Sequence, residues 1–219
     1  MAVIVDNWQL LLQGFFVTIQ ITVLAALLCA VLGIILGSVR ASSNKIARGL
    51  AGAYVEFFRN IPPLVLLFFF FFGLPRLEIV FSSFTCGVLG LALYHAAFVA
   101  EILRAGIETV GRHQKEGARA LGLSYIATMR YVMLPQAGWV VLPPLTNLFI
   151  ALFKTSTLVA TIGVHDLIFE AEVLHERTFQ TAQIFGFVGL VYLTFSMSLG
   201  IGMNWLNGFV ASRRAGNVS

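Results

Sequence analysis

Charge is scarce in this chain: Asp, Glu, Lys and Arg make up 11% of its 219 residues, against roughly a quarter in ordinary soluble domains. With 58% hydrophobic residues and a mean hydropathy of +0.89, that shortage excludes a soluble globular domain. Cysteine is nearly absent too. Cys29 and Cys86 lack metal-ligand spacing, so neither a disulfide framework nor a zinc site is expected, and they read as small apolar packing residues. No G-x-x-x-x-G-K-[ST] occurs, which excludes the usual backbone cradle for ATP phosphates. A nucleophile elbow and a carboxylate pair on a soluble element are missing as well. Covalent chemistry is therefore not expected, and no cofactor is expected in this chain. Met1–Trp8 has no basic residue ahead of the apolar run, so no cleavable signal peptide is expected.

What is present is apolar sequence in long blocks. Charge-free stretches run Asn7–Val39, Asn60–Pro75, Ile79–Ala100, Tyr131–Phe153 and Thr178–Ser212. Roughly 20 residues of helix cross a bilayer, so the expected fold is all-α and polytopic, with five spans at about 10–39, 54–74, 86–103, 136–153 and 181–210 in a single domain, 1–219. Eleven of the 14 basic residues fall between spans one and two, between three and four, or after span five. Lys and Arg in short loops mark the cytoplasmic side, which puts the N-terminus outside and the C-terminus inside. Basic loops beside an anionic leaflet account for the net charge of +4, and nucleic acid is not needed as a partner.

Within the spans, polarity is sparse and local. Gln13, Thr18, Gln20 and Thr22 read as interhelical hydrogen-bonding groups. Glu56 and Arg59, three apart on one helical face, are expected to pair, and Pro62-Pro63 to bend the helix after them. Tyr94, Phe98 and Glu101 share a face by their spacing, with Arg104 placed to form an interfacial salt bridge with Glu101. Pro143-Pro144 interrupt span four, making it the expected wall of a pathway. Asn147 and Lys154 lie seven apart on that span, with Ala151 between, and Thr155 follows. Asp166, Glu170 and Glu172, with His165 and His175, form no tight metal cluster and read as a solvated acidic face. Trp205 with Arg213-Arg214 reads as an interfacial anchor.

The longest polar interruption is Gly111–Pro135, GRHQKEGARALGLSYIATMRYVMLP. Too polar for hydrocarbon, it reads as a helix ending near Gly122, a Ser124 N-cap, and a second helix stopping before Leu134-Pro135. The pattern E-G-A-x3-G-x9-V-x-L-P from Glu116 to Pro135 resembles the EAA motif of bacterial ABC-importer permeases, with Gly117 at the usual Ala and Val132 at the frequent Ile. E-x-x-R-x-x-P-P from Glu56, A-x-x-x-E-x-x-R-x-G-I from Ala97, and Lys154-Thr155-Ser156-Thr157-Leu158 are similar to polar amino-acid uptake permeases.

That resemblance, which covers nearly the whole chain, implies the type I ABC importer permease fold, five transmembrane helices with a cytoplasmic coupling helix in the loop 104–135. By it, Glu116, Gly117, Ala118, Arg119, Gly122, Leu134 and Pro135 would couple to the ATPase. Tyr94, Phe98, Glu101, Asn147, Lys154 and Thr155 are candidates for the substrate pathway, and Asp166 and Glu170 for an external gate. The implied partners are a dimer of ATP-binding ABC subunits, a second permease as homo- or heterodimer, an extracytoplasmic solute-binding protein, a polar amino acid such as glutamate, aspartate or glutamine, and the bilayer of a bacterial inner membrane. ATP and Mg would sit on the partner ATPase. An ion-coupled secondary transporter is the alternative; it would call for mid-span charges and inverted repeats.

Overall fold

The computed structural model describes residues 2–42, 44–110 and 112–216. Helices account for the described secondary structure, with no strand among those residues: α1 (Ala2–Asp6), α2 (Trp8–Arg40), α3 (Lys45–Asn60), α4 (Pro63–Phe68), α5 (Ser83–Thr109), α6 (Arg112–Ala120), α7 (Tyr125–Thr128), α8 (Leu134–Thr155), α9 (Leu167–Thr178) and α10 (Thr181–Gly216). Gly111, where the polar interruption was expected to begin, lies outside the described residues, as do the side chains of Arg213 and Arg214. Four stretches, Trp8–Arg40, Ser83–Thr109, Tyr125–Ile162 and Thr181–Trp205, are long and apolar enough to cross a membrane; α3 with the segment from Pro63 to Leu77 makes a fifth, broken candidate.

The break in the second candidate is local and chemical. Pro62 is extended at φ −62°, ψ 134°, and Pro63 opens α4 at its first turn, where a missing N–H costs nothing. A wide turn, Phe69–Gly73, and a 3-10 turn, Leu74–Leu77, finish it. The expected partner of Glu56 is not Arg59: among the described residues those two form no ion pair. Asn60 Nδ2 donates to the Glu56 backbone carbonyl at 2.7 Å and to its carboxylate Oε2 at 3.5 Å, while the Arg59 guanidinium lies 5.7 Å from the Phe98 ring centroid, a cation–π contact. An aromatic face on another helix displaced the i,i+3 carboxylate.

Span four also departs from expectation. Its prolines neither delay nor break it: α7 runs through a wide turn, Met129–Met133, into α8, which stays helical past Pro143 and Pro144. Pro135 would have clashed with the carbonyl one turn back in a regular helix. The wide turn just before it gives the ring room, so the chain continues where a stop was expected.

The chain divides into two compact units, Met1–Leu27 with Ile61–Ala92 and Phe149–Leu199, and Leu28–Asn60 with Leu93–Leu148 and Gly200–Ser219. In the first, Val3, Ile4 and Leu11 pack with Leu167, Ala171 and Leu174 of α9 and Ile184 and Val188 of α10. Of the polar residues expected to bond between helices, Thr18 and Thr22 do so, whereas Gln13 and Gln20 are exposed. Thr18 Oγ1 accepts from the Leu167 amide at 3.1 Å and donates to Gly14 O at 3.1 Å, and Thr22 Oγ1 donates to Ser156 Oγ at 3.4 Å.

In the second unit, Leu103 and Ile107 of α5 pack with Met129, Met133, Ala137 and Val141. Glycine permits the closest approach there. A Cβ on Gly106 would land on the Val141 side chain, and one on Gly37 would lie 2.8 Å from Ala100 O. Tyrosines complete the frame: Tyr54 Oη donates to Leu93 O at 2.8 Å and Tyr125 Oη to Ser38 O at 2.7 Å.

Candidate functional site

The polar interruption folds as α6, a tight turn and α7. Gly122, at φ +79°, sits in the left-handed region that L side chains avoid. Its amide donates to Arg119 O at 3.0 Å, and the Leu123 amide donates to Ala118 O at 3.2 Å, which closes α6 with a left-handed cap. Ser124 then starts α7, its Oγ accepting from the Ala127 amide at 3.2 Å, the expected N-cap.

α6 uses one side to hold on to its own chain. Ala118 is buried, at 5% exposure, the helix packs on Met129–Met133, and Lys115 Nζ donates to Ala41 O at 3.4 Å with its cation 6.0 Å from the Tyr125 ring centroid. The other side is open. Glu116, Gly117 and Arg119 are exposed, and nothing lies within 4 Å of where a Gly117 Cβ would be. Glycine here is not needed by this chain's own packing. It leaves the backbone bare for a close external contact.

Two residues that sequence reasoning did not single out are exposed in the same segment. Leu121 is 84% exposed and Ile126 76%, apolar side chains in water beside a polar helix. The signal was visible, since both are large hydrophobes in the one polar stretch. Leu134 is half-buried and Pro135 exposed at the start of α8, where they shape the exit from the wide turn.

Glu101 lies in an ion cluster. Arg40 donates to its Oε2, and Arg104 Nη2 donates to its Oε1 at 2.6 Å while Arg104 Nη1 reaches Glu108 at 2.5 Å. The Glu101 and Arg104 side chains are about a quarter exposed, and Arg40 less. Arg40, 61 positions away in sequence, was not anticipated. Tyr94 and Phe98, on the same helix, stack on each other with centroids 5.1 Å apart, and buried His95 sits edge-on to Tyr94 at 5.0 Å. On α8, Asn147 and Lys154 are exposed, and Thr155 Oγ1 donates back to Ala151 O at 2.8 Å.

Among the acids Asp166, Glu170 and Glu172, the segment is the solvated face expected of it only at Glu172, which is exposed. Asp166 is fully buried and Glu170 is 6% exposed. Asp166 caps α9, Oδ1 accepting from the Phe169 amide at 2.9 Å, and Glu170 Oε1 lies 2.8 Å from His165 Nδ1. A Cβ on Gly14 would lie 2.8 Å from Asp166 O, so α2 presses its bare backbone on this turn. The capping role and the close glycine hold the carboxylates inward.

Burial pushes the Asp166 carboxyl up to about 7, helped by Glu172 and Glu170 and opposed by its amide donors. Because the folded-state value is above the ordinary one, the folded state is favoured by protonation and loses stability as pH rises from about 4 through 7. Asp166→Asn keeps the cap acceptor and removes the charge. The expected result is a Tm nearly unchanged at pH 4 and raised at pH 8, measured on the detergent-solubilised protein; an equal shift at both pH values would mean the carboxyl does not titrate there.

Among the described residues no group of three or more His, Cys, Asp or Glu is placed to hold a metal ion.

The family described as "binding-protein-dependent transport system inner membrane component" matches residues 29–216. The chain belongs to this family. A probable glutamine ABC transporter permease of Bacillus subtilis is 37% identical over 205 residues, 94% of this chain and 95% of its own. A glutamate transport system permease of Corynebacterium glutamicum is 38% identical, covering 88% of this chain and 91% of its own. Among solved structures, an amino acid ABC transporter crystallised with histidines is 32% identical and superposes with a TM-score of 0.85 over 93% of this chain and 95% of that one. Two inward-facing structures of a methionine ABC transporter give TM-scores of 0.78 and 0.81 at 19% identity, which speaks to the fold alone. The chain is therefore an all-α, multi-pass permease with the type I importer fold, a membrane subunit of the ABC class, and the ion-coupled alternative falls away.

Proposed function

We propose that this permease forms the membrane pathway for a polar L-amino acid of the glutamine or glutamate class, delivered by an external binding protein and driven by a separate ATPase that does the ATP chemistry. The observation that carries the reading is the two-sidedness of α6: one side is tied to its own chain through Ala118 and Lys115, and the other presents Glu116, Gly117, Arg119 and Leu121 to a partner. The substrate class rests on relatives named for glutamine and glutamate transport.

In this account the whole chain, 1–219, works as one transmembrane domain, paired with a second permease over two ATPase subunits that bind ATP and Mg. The chain itself is non-catalytic. It sits in a bacterial inner membrane with the basic loops, α6 and the C-terminus cytoplasmic and the N-terminus outside, as the Lys and Arg distribution favours. ATPase closure displaces α6, and α7 passes that displacement through the wide turn at Met129–Met133 into α8. Exposed Asn147 and Lys154 supply polar contacts on the pathway helix, with Thr155 beside them and Tyr94 and Phe98 as apolar lining. Glu101 is given a bracing role, its carboxylate already neutralised by two arginines. Asp166 and Glu170 position the external gate segment.

The test is reconstitution of this chain with its ATPase in vesicles. ATP hydrolysis and uptake should rise when the binding protein is loaded with glutamine or glutamate. Hydrolysis indifferent to the loaded binding protein, or uptake that follows an ion gradient without ATP, would overturn the proposal.

A further inference from the structure

We infer that a cationic cleft at the meeting of α2, α3, α5 and α6 is a binding site for the phosphate headgroup of an anionic membrane lipid. Two adjoining clefts of about 560 and 440 Å³ share Arg40, Arg48 and Glu108 in their walls; Lys115 and Ser42 line one, Lys45 and Arg104 the other. The space exceeds what an inorganic ion would fill. It also carries surplus positive charge.

Arg40 and Arg104 are spent on Glu101 and Glu108. Lys45, Arg48 and Lys115 have no carboxylate partner among the described residues. Arg48 thus lines both clefts, with Lys115 in one and Lys45 in the other, while the acid they share is already paired, and a phosphodiester would neutralise charge there and accept their hydrogen bonds.

Lipid is favoured over free phosphate by α3 itself. The helix that brings Lys45 and Arg48 to the cleft exposes Ile46, Leu50 and Phe57, at 77%, 70% and 59%, and these fall on one helical face by their spacing of four and seven. Cations at the start of a helix with an uncovered apolar face along it match the headgroup and acyl chain of one lipid. The inference is independent of the substrate and the ATPase, because it concerns only this chain and the bilayer.

The test is native mass spectrometry of the full-length chain in detergent, titrated with phosphatidylglycerol or with phosphatidylcholine of the same acyl chains. Phosphatidylglycerol should bind about a hundredfold more tightly, from roughly 1 kcal/mol for each of the basic residues near the phosphate. Lys45→Glu with Arg48→Glu, both exposed positions, should erase that preference. The charge-matched pair Arg76→Glu and Arg177→Glu, also exposed, should leave it intact. Excess inorganic phosphate should not displace the lipid. Equal binding of the two lipids, a preference surviving in the Lys45/Arg48 variant, a preference lost equally in the control pair, or displacement by inorganic phosphate alone would each overturn the inference.

Discussion

Gly117→Trp should abolish coupled transport, lowering binding-protein-stimulated ATP hydrolysis by about a hundredfold or more while the chain still inserts and purifies at the wild-type level. Beyond its chain neighbours and its own helix backbone, nothing lies within 4 Å of the position where the new Cβ would go, so the side chain leaves the helix into open space. A loss of coupling at unchanged stability then comes from the partner. Burying a bulky ring against a surface shaped for bare backbone removes close contact along the centre of the docking face, where losses of 2–4 kcal/mol are usual for interface hot spots; that range corresponds to factors of roughly 30 to 1,000. Glu116→Lys should act in the same direction by inverting an exposed charge on the same helix. The assay is ATPase activity of the assembled complex beside thermal stability of the permease alone. Failure of insertion or a large fall in Tm would instead assign α6 a folding role.

Glu101→Ala should destabilise the permease more than any other single charge deletion, by about 2 kcal/mol, between the small worth of exposed ion pairs and the 3–5 kcal/mol cost of breaking buried ones. The carboxylate is shared by Arg40 and Arg104. Removing it leaves two partly buried guanidiniums repelling each other where α2 and α5 meet. Arg40→Met in the same background should recover part of the loss, because it deletes one of the stranded cations and keeps the apolar stem. Thermal unfolding of both variants in detergent reads this directly. A Glu101→Ala protein with wild-type stability but failed uptake would move Glu101 from brace to pathway.

Much of this could be read from the residue order, for physical reasons that differ by element. Four apolar blocks marked helices long enough to cross a membrane and the fifth a broken candidate, because hydrocarbon favours long apolar helices. Gly122 and Ser124 were legible as helix end and helix start, since a left-handed cap and a hydroxyl cap are local chemistry. Pro62-Pro63 were legible as a break for the same reason. What failed was non-local. Arg40 reaching Glu101, and Arg59 choosing Phe98 over Glu56, are decided by which helices pack together, and spacing along one helix carries no information on that. Asp166 and Glu170 read as solvated acids because acidic residues usually are; their burial depends on the close approach of Gly14, which only the packed structure supplies. Pro135 read as a stop because the wide turn that accommodates it has no strong sequence signature. The open side of α6 was half legible. Its Glu, Gly and Ala stood out, whereas Leu121 and Ile126 became notable once their exposure was known.

Cysteine cross-linking from position 117 tests the central claim, that the open side of α6 is where the ATPase docks. Cys29 and Cys86 are buried, at 0% and 1% exposure, so a Gly117→Cys thiol can be addressed against a silent background. With a cysteine series in the ATPase groove and a short bifunctional reagent, Gly117→Cys should give a permease–ATPase adduct whose yield changes on adding ATP, while Glu78→Cys, on a connection between other helices, should give none. An adduct at position 78, with none at 117 under any nucleotide condition, would contradict the account.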